Sequence, residues 1–282
     1  MLNPPYINFR VLASGGGVRP RPVISLTGLE RQRKIVLLIH GFNTTKIEAR
    51  EGYEAFDDLL KRVAPRLARC LCPVYWPGDS HLKAGGYPWL VNRAAECGDQ
   101  LANWLASQKG EIIIVAHSLG CRLTLEALSA LASLGGGPKI RVFLMAAAVP
   151  VELIRQVGHL RDGLERAESV DVLHSEADGV LAVWFRLGQS LAPGEGQMLP
   201  EAVGLRGRPG KDVWTRAAEM PGYSHGEYWI GPRMASHVAH RLGAPVAKPR
   251  PVRLTSHNRV APERPKLPPR PDVAPRRLVF RR

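Results

Sequence analysis

One serine lies where a predicted buried strand meets a predicted helix. Residues 112–115 are Ile-Ile-Ile-Val, Ala-His-Ser-Leu-Gly follows at 116–120, and helical spacing runs over Leu119–Leu134. This is the Gly-x-Ser-x-Gly nucleophile elbow with Ala116 in place of the first glycine. Small residues on both sides of the serine allow neighbouring backbone to approach a tight strand-to-helix turn. The pattern predicts that Ser118 is a nucleophile.

The helix after Ser118 suits a reaction that develops negative charge. The first N–H groups of a helix have no intrahelical partner, and that end of the helix carries partial positive charge. The N–H of Leu119 is therefore the first candidate donor to an oxyanion. The alternative is that Ser118 is the N-cap of an ordinary helix, a position that favours serine.

A second buried strand, Ile35–Ile39, ends in His40, Gly41 and Phe42. With the serine turn, this strand ending resembles the alpha/beta-hydrolase fold family, in its serine lipase/esterase-like branch. The resemblance implies that the N–H of Phe42 is the second oxyanion donor. The alternative is that Gly41 only permits a tight turn and that His40 is a structural hydrogen-bonding residue. The family order of serine, acid and histidine argues against His40 as the catalytic base.

The resemblance also implies a catalytic acid. Residues 170–181 are similar to the family's strand and acid loop, in which a Ser-x-x-Asp pattern leads to Asp178. The alternative role of Asp178 is to cap the apolar helix that follows it. Glu152 is the alternative acid, because some family members place the acid after the preceding strand. Glu176 is a third choice.

The base that the resemblance implies is His225. It lies in the turn-rich segment 221–229, before a predicted last helix at about Arg233–Arg241, and it completes the order Ser118, Asp178, His225. Poorer candidates, or histidines expected to be structural, are His117, His159, His174, His237 and His240.

Trp76 begins a Trp-Pro-Gly-Asp turn at the end of the predicted strand Cys70–Trp76. Similar turns occur in a poorly characterised bacterial branch of the same family. One interpretation is that Trp76 lines the acyl or alcohol pocket. The alternative is that this aromatic residue packs against the sheet edge.

The apolar runs alternate with helical patterns along the chain, which predicts a mostly parallel α/β sheet with helices on both faces. Ligands bind such sheets at the carboxyl ends of the strands. Segments 6–12 and 23–26 predict short strands that form an antiparallel edge of the sheet. The Gly- and Pro-rich stretch 188–211 is either a flap over the site or a surface excursion.

The net charge of +14 belongs to the two ends of the chain. Residues 1–34 carry a net +5 and residues 244–282 a net +9, so residues 35–243 are formally neutral. We therefore predict a hydrolase domain over residues 1–243, with an N-terminal edge segment at 1–34. Residues 244–282 hold nine prolines and no glycine, which predicts a disordered basic tail. That tail is expected to be solubilising, or to contact an anionic surface or a protein partner.

Other features narrow the class of protein. The sequence contains no run of 18 apolar residues, so no membrane-spanning helix is predicted. The first 30 residues lack the apolar core of a signal peptide, so a cytoplasmic protein is expected. The four cysteines match no zinc spacing, and the glycine-rich segments lack a nucleotide-binding pattern. No cofactor and no metal are therefore expected, and the neutral middle argues against sequence-specific nucleic-acid binding.

The expected function is hydrolysis of a carboxyl ester through Ser118, His225 and Asp178. A lipid ester or small ester fits the resemblance best, and a thioester or amide is an alternative substrate. An acyltransferase would use the same three residues. A non-catalytic scaffold that binds partners through its basic ends is the rival from a different class.

Overall fold

The computed structural model describes residues 4–14, 16–30, 32–80, 86–155, 158–190, 199–210 and 213–243. The predicted tail, 244–282, lies outside this range. The strands are β1 (Tyr6–Arg10), β2 (Val18–Ser25), β3 (Lys34–Ile39), β4 (Leu71–Tyr75), β5 (Glu111–His117), β6 (Lys139–Met145), β7 (Ser169–His174) and β8 (Arg216–Glu219). They form a single eight-stranded sheet in the order β2-β1-β4-β3-β5-β6-β7-β8.

The sheet is parallel except at one edge. β1 pairs antiparallel with β2, while every other neighbouring pair is parallel. The central strands β3, β5 and β6 are almost wholly buried, as expected for continuous apolar runs that are covered on both faces. This arrangement confirms the predicted mostly parallel α/β sheet and its antiparallel edge.

Nine α-helices connect these strands within the described ranges. They are α1 (Lys46–Val63), α2 (Pro65–Ala68), α3 (Tyr87–Ala106), α4 (Leu119–Leu134), α5 (Val151–Arg155), α6 (His159–Leu164), α7 (Phe185–Ser190), α8 (Val203–Arg206) and α9 (Pro232–Arg241). A π-helix, Val180–Trp184, leads directly into α7. Helices α3, α4 and α6 pack together, and α1 packs against α9.

Local chemistry explains the bounds of the long helix α1. Thr45 caps its first turn, where the hydroxyl accepts a hydrogen bond from the Glu48 N–H and the Glu48 carboxylate accepts one from the Thr45 N–H. The helix ends at Val63, Ala64 is its C-cap residue, and Pro65 begins the short helix α2. Proline cannot continue a helix because it lacks the N–H donor.

Two parts of the sheet differ from the prediction. The second predicted strand, 23–26, begins earlier than expected, because residues 19–22, Arg-Pro-Arg-Pro, also lie within β2. The register between β1 and β2 shifts there, from the pair Asn8–Val23 to the pair Arg10–Val18, so an edge strand accommodates the prolines at an irregularity. The short strand β8 has no apolar run, and its pairing with β7 is what defines it.

The predicted flap, 188–211, lies partly outside the described residues, which omit 191–198. Its described end is hydrogen-bonded to the loop that follows β6: the Gly204 N–H donates to Ala147 O at 2.9 Å, and the Val203 N–H donates to Val149 O at 2.9 Å. A lid function for this stretch stays a prediction. No helix in the described ranges is both long and apolar enough to cross a membrane.

The last helix is attached to β7 by a buried carboxylate. Asp171 accepts hydrogen bonds from Arg241 Nε at 2.5 Å, from Arg241 Nη2 at 3.1 Å and from His237 Nε2 at 3.3 Å. Burial alone would raise the pKa of Asp171, but these hydrogen bonds outweigh it, and the pKa lies below its usual value. α9 is thereby fixed to β7, next to the edge strand β8.

We expect Asp171→Asn to lower the free energy of unfolding by about 2–3 kcal/mol, because it weakens a buried, charged hydrogen-bond network. Glu54→Gln is the matched control, since it removes one carboxylate from an exposed ion pair with Arg50 and should change stability by less than about 0.5 kcal/mol. Urea unfolding followed by circular dichroism measures both changes. Equal stabilities of the two variants would contradict the prediction.

Candidate active site

Ser118 sits on a strained turn between β5 and α4. Its φ is 54° and its ψ is −124°, a conformation that a non-glycine residue adopts only when its surroundings impose it. The Ser118 N–H donates to Met145 O at 2.9 Å, and the Ser118 carbonyl accepts hydrogen bonds from Cys121 N at 3.0 Å and Ala148 N at 3.2 Å. The hydroxyl makes no capping hydrogen bond to α4. The side chain is therefore directed to other partners.

Two glycines allow the end of β3 to lie against this turn. A Cβ atom on Gly120 would overlap the carbonyl oxygen of His40, and a Cβ atom on Gly41 would lie 2.6 Å from Ser118 Cβ. Real side chains do not approach so closely, so both positions require glycine. The glycine of the serine motif thus permits the close approach that the motif predicts, while Ala116 is accommodated in the strand.

The three side chains that the sequence singles out form one hydrogen-bonded chain. Ser118 Oγ lies 2.9 Å from His225 Nε2, and His225 Nδ1 lies 2.7 Å from Asp178 Oδ2. With a proton on Nδ1, the imidazole donates to the carboxylate and accepts the serine hydroxyl proton. Asp178 is fully buried, whereas 18% of the His225 side chain is exposed.

Asp178 also caps the helix that follows it. Its Oδ1 accepts a hydrogen bond from the Leu181 N–H at 3.0 Å, while Oδ2 faces His225. The two roles considered for Asp178 are therefore compatible, because each carboxylate oxygen serves one of them. The capping bond fixes the orientation of the carboxylate toward the imidazole.

The other two candidate acids lie in different surroundings. Glu152 pairs with Arg155 at 2.7 Å on the helix surface, and Glu176 pairs with Arg206 at 3.5 Å. Their side chains are 37% and 64% exposed. Among the described contacts of His225, the carboxylate partner is Asp178.

His40 is a buried structural histidine. The Trp76 N–H donates to His40 Nε2 at 3.3 Å, so the proton lies on Nδ1, which donates to Gly41 O at 3.0 Å. The pKa of His40 is lowered to about 4, mainly by burial; Arg10 also lowers it, while the hydrogen bond to Gly41 and the charge of Asp79 raise it. His40 is therefore neutral near pH 7 and hydrogen-bonds within its own loop, as the structural alternative predicts.

Trp76 is also fully buried and holds the same loop. Its indole N–H donates to His40 O at 2.8 Å, and its ring stacks on the His40 imidazole with centroids 5.6 Å apart. These contacts support the packing alternative for Trp76. A role in lining the acyl or alcohol pocket stays a prediction.

A buried ion pair that the sequence did not predict lies next to Trp76. Arg10 Nη2 lies 2.5 Å from Asp79 Oδ1, and Arg10 Nη1 donates to Trp76 O at 2.8 Å. Arg10 is only 1% exposed, although it belongs to the largely apolar strand β1. An arginine in a strand of mostly apolar residues and an aspartate after Trp-Pro-Gly are each unusual, but neither segment identifies the other residue as its partner.

The two candidate oxyanion donors border the Ser118 side chain in sequence or in space. Leu119 is the first residue of α4, so its N–H has no intrahelical partner. Phe42 follows Gly41, whose added Cβ would lie 3.2 Å from Ser118 Oγ. The Phe42 ring packs edge-on against Tyr87, with centroids 5.4 Å apart.

The other histidines and the cysteines are also possible metal ligands. His237 belongs to the Asp171 network, and all four cysteines are buried thiols. Within the described ranges, no group of three or more His, Cys, Asp and Glu side chains is arranged to hold a metal ion.

The buried, neutral His40 predicts that stability falls in mild acid. Unfolded His40, with a pKa near 6.5, binds a proton below that pH, whereas folded His40 resists protonation down to about pH 4. Protons therefore bind preferentially to the unfolded chain between these values. From pH 7 to pH 5 we expect this residue alone to remove about 1–2 kcal/mol from the free energy of unfolding.

Urea unfolding at pH 7 and pH 5 tests this expectation. His40→Gln provides the control, since its side-chain oxygen can accept the Trp76 N–H but does not titrate. The variant should lose less stability than the wild type over the same pH interval. Identical pH dependence of the two proteins would refute the assignment of His40 as a buried neutral group.

Several solved structures are similar to this chain. A pyrethroid hydrolase from Sphingobium faniae JZ-2 is 17% identical, covers 75% of this chain and 98% of its own, and has a TM-score of 0.39. The RedJ thioesterase of the prodiginine pathway in Streptomyces coelicolor is 14% identical over 78% and 91% of the chains, with a TM-score of 0.42. An extracellular alpha/beta-hydrolase from a Paenibacillus species is 12% identical over 73% and 98%, with a TM-score of 0.38.

The comparison with curated proteins found no match. A family model described as "Alpha/beta hydrolase of unknown function (DUF900)" matches residues 25–206, which is more than half of the chain. The matched segment includes Phe42, Ser118 and Asp178 and ends before His225. On this match, and with the sheet described above, the chain belongs to this family of alpha/beta hydrolases of unknown function.

Proposed function

We propose that this protein is a serine hydrolase that cleaves a carboxyl ester through an acyl-enzyme intermediate. The observation that carries the proposal is the continuous chain from Ser118 Oγ through the His225 imidazole to the buried Asp178 carboxylate. Nucleophile, base and orienting acid in hydrogen-bond contact are the arrangement that acyl transfer requires.

The first half of the reaction forms the acyl-enzyme. Ser118 Oγ attacks the carbonyl carbon of the ester as its proton passes to His225 Nε2. The N–H groups of Leu119 and Phe42 donate hydrogen bonds to the negatively charged carbonyl oxygen and so stabilise it. Collapse of the tetrahedral intermediate breaks the bond to the alcohol, which leaves with the proton from His225.

The second half of the reaction releases the acid. A water molecule attacks the acyl carbon, and His225 accepts its proton. The same two N–H groups stabilise the second oxyanion, and the bond to Ser118 Oγ breaks as His225 returns the proton to the serine. Asp178 holds the imidazole tautomer and stabilises the transient imidazolium.

The strained backbone of Ser118 supports this function over that of a non-catalytic scaffold. A serine that only capped α4 would need neither a φ of 54° nor a hydroxyl directed at an imidazole. Strain of this kind costs about 1–3 kcal/mol and persists where a site requires it. The aromatic contact of Phe42, a candidate oxyanion donor, with Tyr87 supports an ester with an apolar group.

Reaction with a fluorophosphonate probe tests the nucleophile and the base. We expect wild-type protein to form a stoichiometric adduct at Ser118, located by peptide mass spectrometry. Ser118→Ala should not react, and His225→Ala should react at least about 10³-fold more slowly, since the hydroxyl then keeps its proton. A folded wild-type protein that gives no adduct would overturn the proposal.

Turnover of p-nitrophenyl butyrate tests the choice of acid. We expect Asp178→Asn to lower kcat by about 10³–10⁴-fold, because the amide cannot hold the required tautomer or stabilise the imidazolium. Glu152→Gln is the matched control and should stay within about 2-fold of wild type, since Glu152 forms a surface pair. Loss of turnover only in the Glu152 variant would transfer the role to that residue.

Addition of methanol to the assay distinguishes hydrolysis from acyl transfer. An acyltransferase would produce the methyl ester of the acyl group, whereas hydrolysis produces the free acid.

A further inference from the structure

His117 makes a hydrogen bond that links the serine turn to the segment of the base. It is the last residue of β5 and is largely buried. Its Nε2 lies 2.8 Å from the main-chain carbonyl oxygen of His225. Because a carbonyl oxygen only accepts, Nε2 carries the proton and donates it.

The ring of His117 packs against the same segment. Its centroid lies 4.8 Å from that of His225, 5.9 Å from that of Tyr228 and 6.1 Å from that of Trp229. Burial, together with the adjacent His225, lowers the pKa of His117 to about 3. A neutral His117 places no second positive charge beside His225 when the imidazolium forms.

The segment that carries His225 needs such an attachment. Residues 221–230 form turns, and the other hydrogen bonds of this segment are mostly local, such as Ser224 N–H to Glu227 Oε2 at 2.5 Å and Gly231 N–H to Glu227 O at 2.7 Å. Local bonds fix the shape of the turns but not their distance from the sheet. The His117 bond joins the main chain of His225 itself to β5, the strand that leads into Ser118.

We propose that His117 is a positioning residue, whose Nε2–H holds the main chain of His225 so that the His225 imidazole stays within reach of Ser118 Oγ. Asp178 then orients the imidazole through the side chain, while His117 fixes the backbone that carries it. The inference rests on the proposed function, since it assigns His225 the role of base. The rival interpretation is that His117 only fills space beneath the loop.

The tautomer of His117 can be tested without any measurement of activity. In ¹⁵N-labelled full-length protein at pH 7, long-range ¹H–¹⁵N spectra should show a neutral His117 with the proton on Nε2. An Nδ1–H tautomer, or a protonated ring, would overturn the inference. This result does not depend on whether the protein is a hydrolase.

Two substitutions separate the hydrogen bond from the packing. His117→Phe keeps an aromatic ring but has no donor, and His117→Gln has a side-chain N–H near the position of Nε2 but no ring. We expect His117→Phe to lower kcat for p-nitrophenyl butyrate by about 10–100-fold with KM within about 2-fold, since a displacement near 1 Å costs up to about 10² in rate. His117→Gln should recover most of this loss.

Each pattern of results decides the question. Loss in the Phe variant with recovery in the Gln variant supports the hydrogen bond. A lower kcat in the Gln variant alone, in both variants or in neither variant overturns the proposed role of the hydrogen bond. His117→Leu is a second donor-free variant if the Phe variant does not unfold cooperatively. If wild-type protein gives no fluorophosphonate adduct, the proposed function fails, and the tautomer still decides whether His117 donates to His225.

Discussion

The close packing of two backbone turns is the constraint on which the site depends. The end of β3 and the turn at Ser118 approach so closely that a Cβ atom at Gly41 would lie 2.6 Å from Ser118 Cβ, and one at Gly120 would overlap the carbonyl of His40. This approach places Gly41 against Ser118, so the residue after Gly41 and the first residue of α4 are both neighbours of the nucleophile in sequence or in space. The positive φ at Ser118 is the cost of that geometry, and hydrogen bonds from Cys121 and Ala148 to its carbonyl help to hold it.

A layer of buried polar residues supports the β3 turn from behind. Trp76 hydrogen-bonds to His40 through both its main-chain and its indole N–H groups, and Arg10 binds the Trp76 carbonyl while it pairs with Asp79. Buried charges are tolerated only when they are paired and hydrogen-bonded, so these contacts depend on one another. A neutral His40 fits this layer, because a protonated ring would lose the lone pair that accepts the Trp76 N–H.

Local patterns predict the fold, and the family resemblance implies that Ser118, Asp178 and His225 meet, but neither predicts the supporting contacts. Helix α4 has its predicted bounds, because apolar spacing and the following glycines mark both ends. The short strand β8 has no such pattern and exists through its partner β7. The Arg10–Asp79 pair joins residues 69 positions apart, and nothing local in either segment indicates its partner. Sequence order alone brings Ser118 and His225 into consideration together, whereas the sheet determines their distance.

The base illustrates why the supporting contacts matter for function. His225 lies in turns, outside the segment that the family model matches, and yet its imidazole must remain within hydrogen-bond distance of a rigid serine turn. Three separate elements restrict it: His117 on β5 holds its carbonyl, Asp178 holds its ring, and the Asp171 network fixes the helix that follows. Each contact comes from the sheet or from a loop that directly follows a strand. A segment without helix or strand can therefore carry a positioned base, because contacts from the neighbouring strands and the loops that follow them hold it in place.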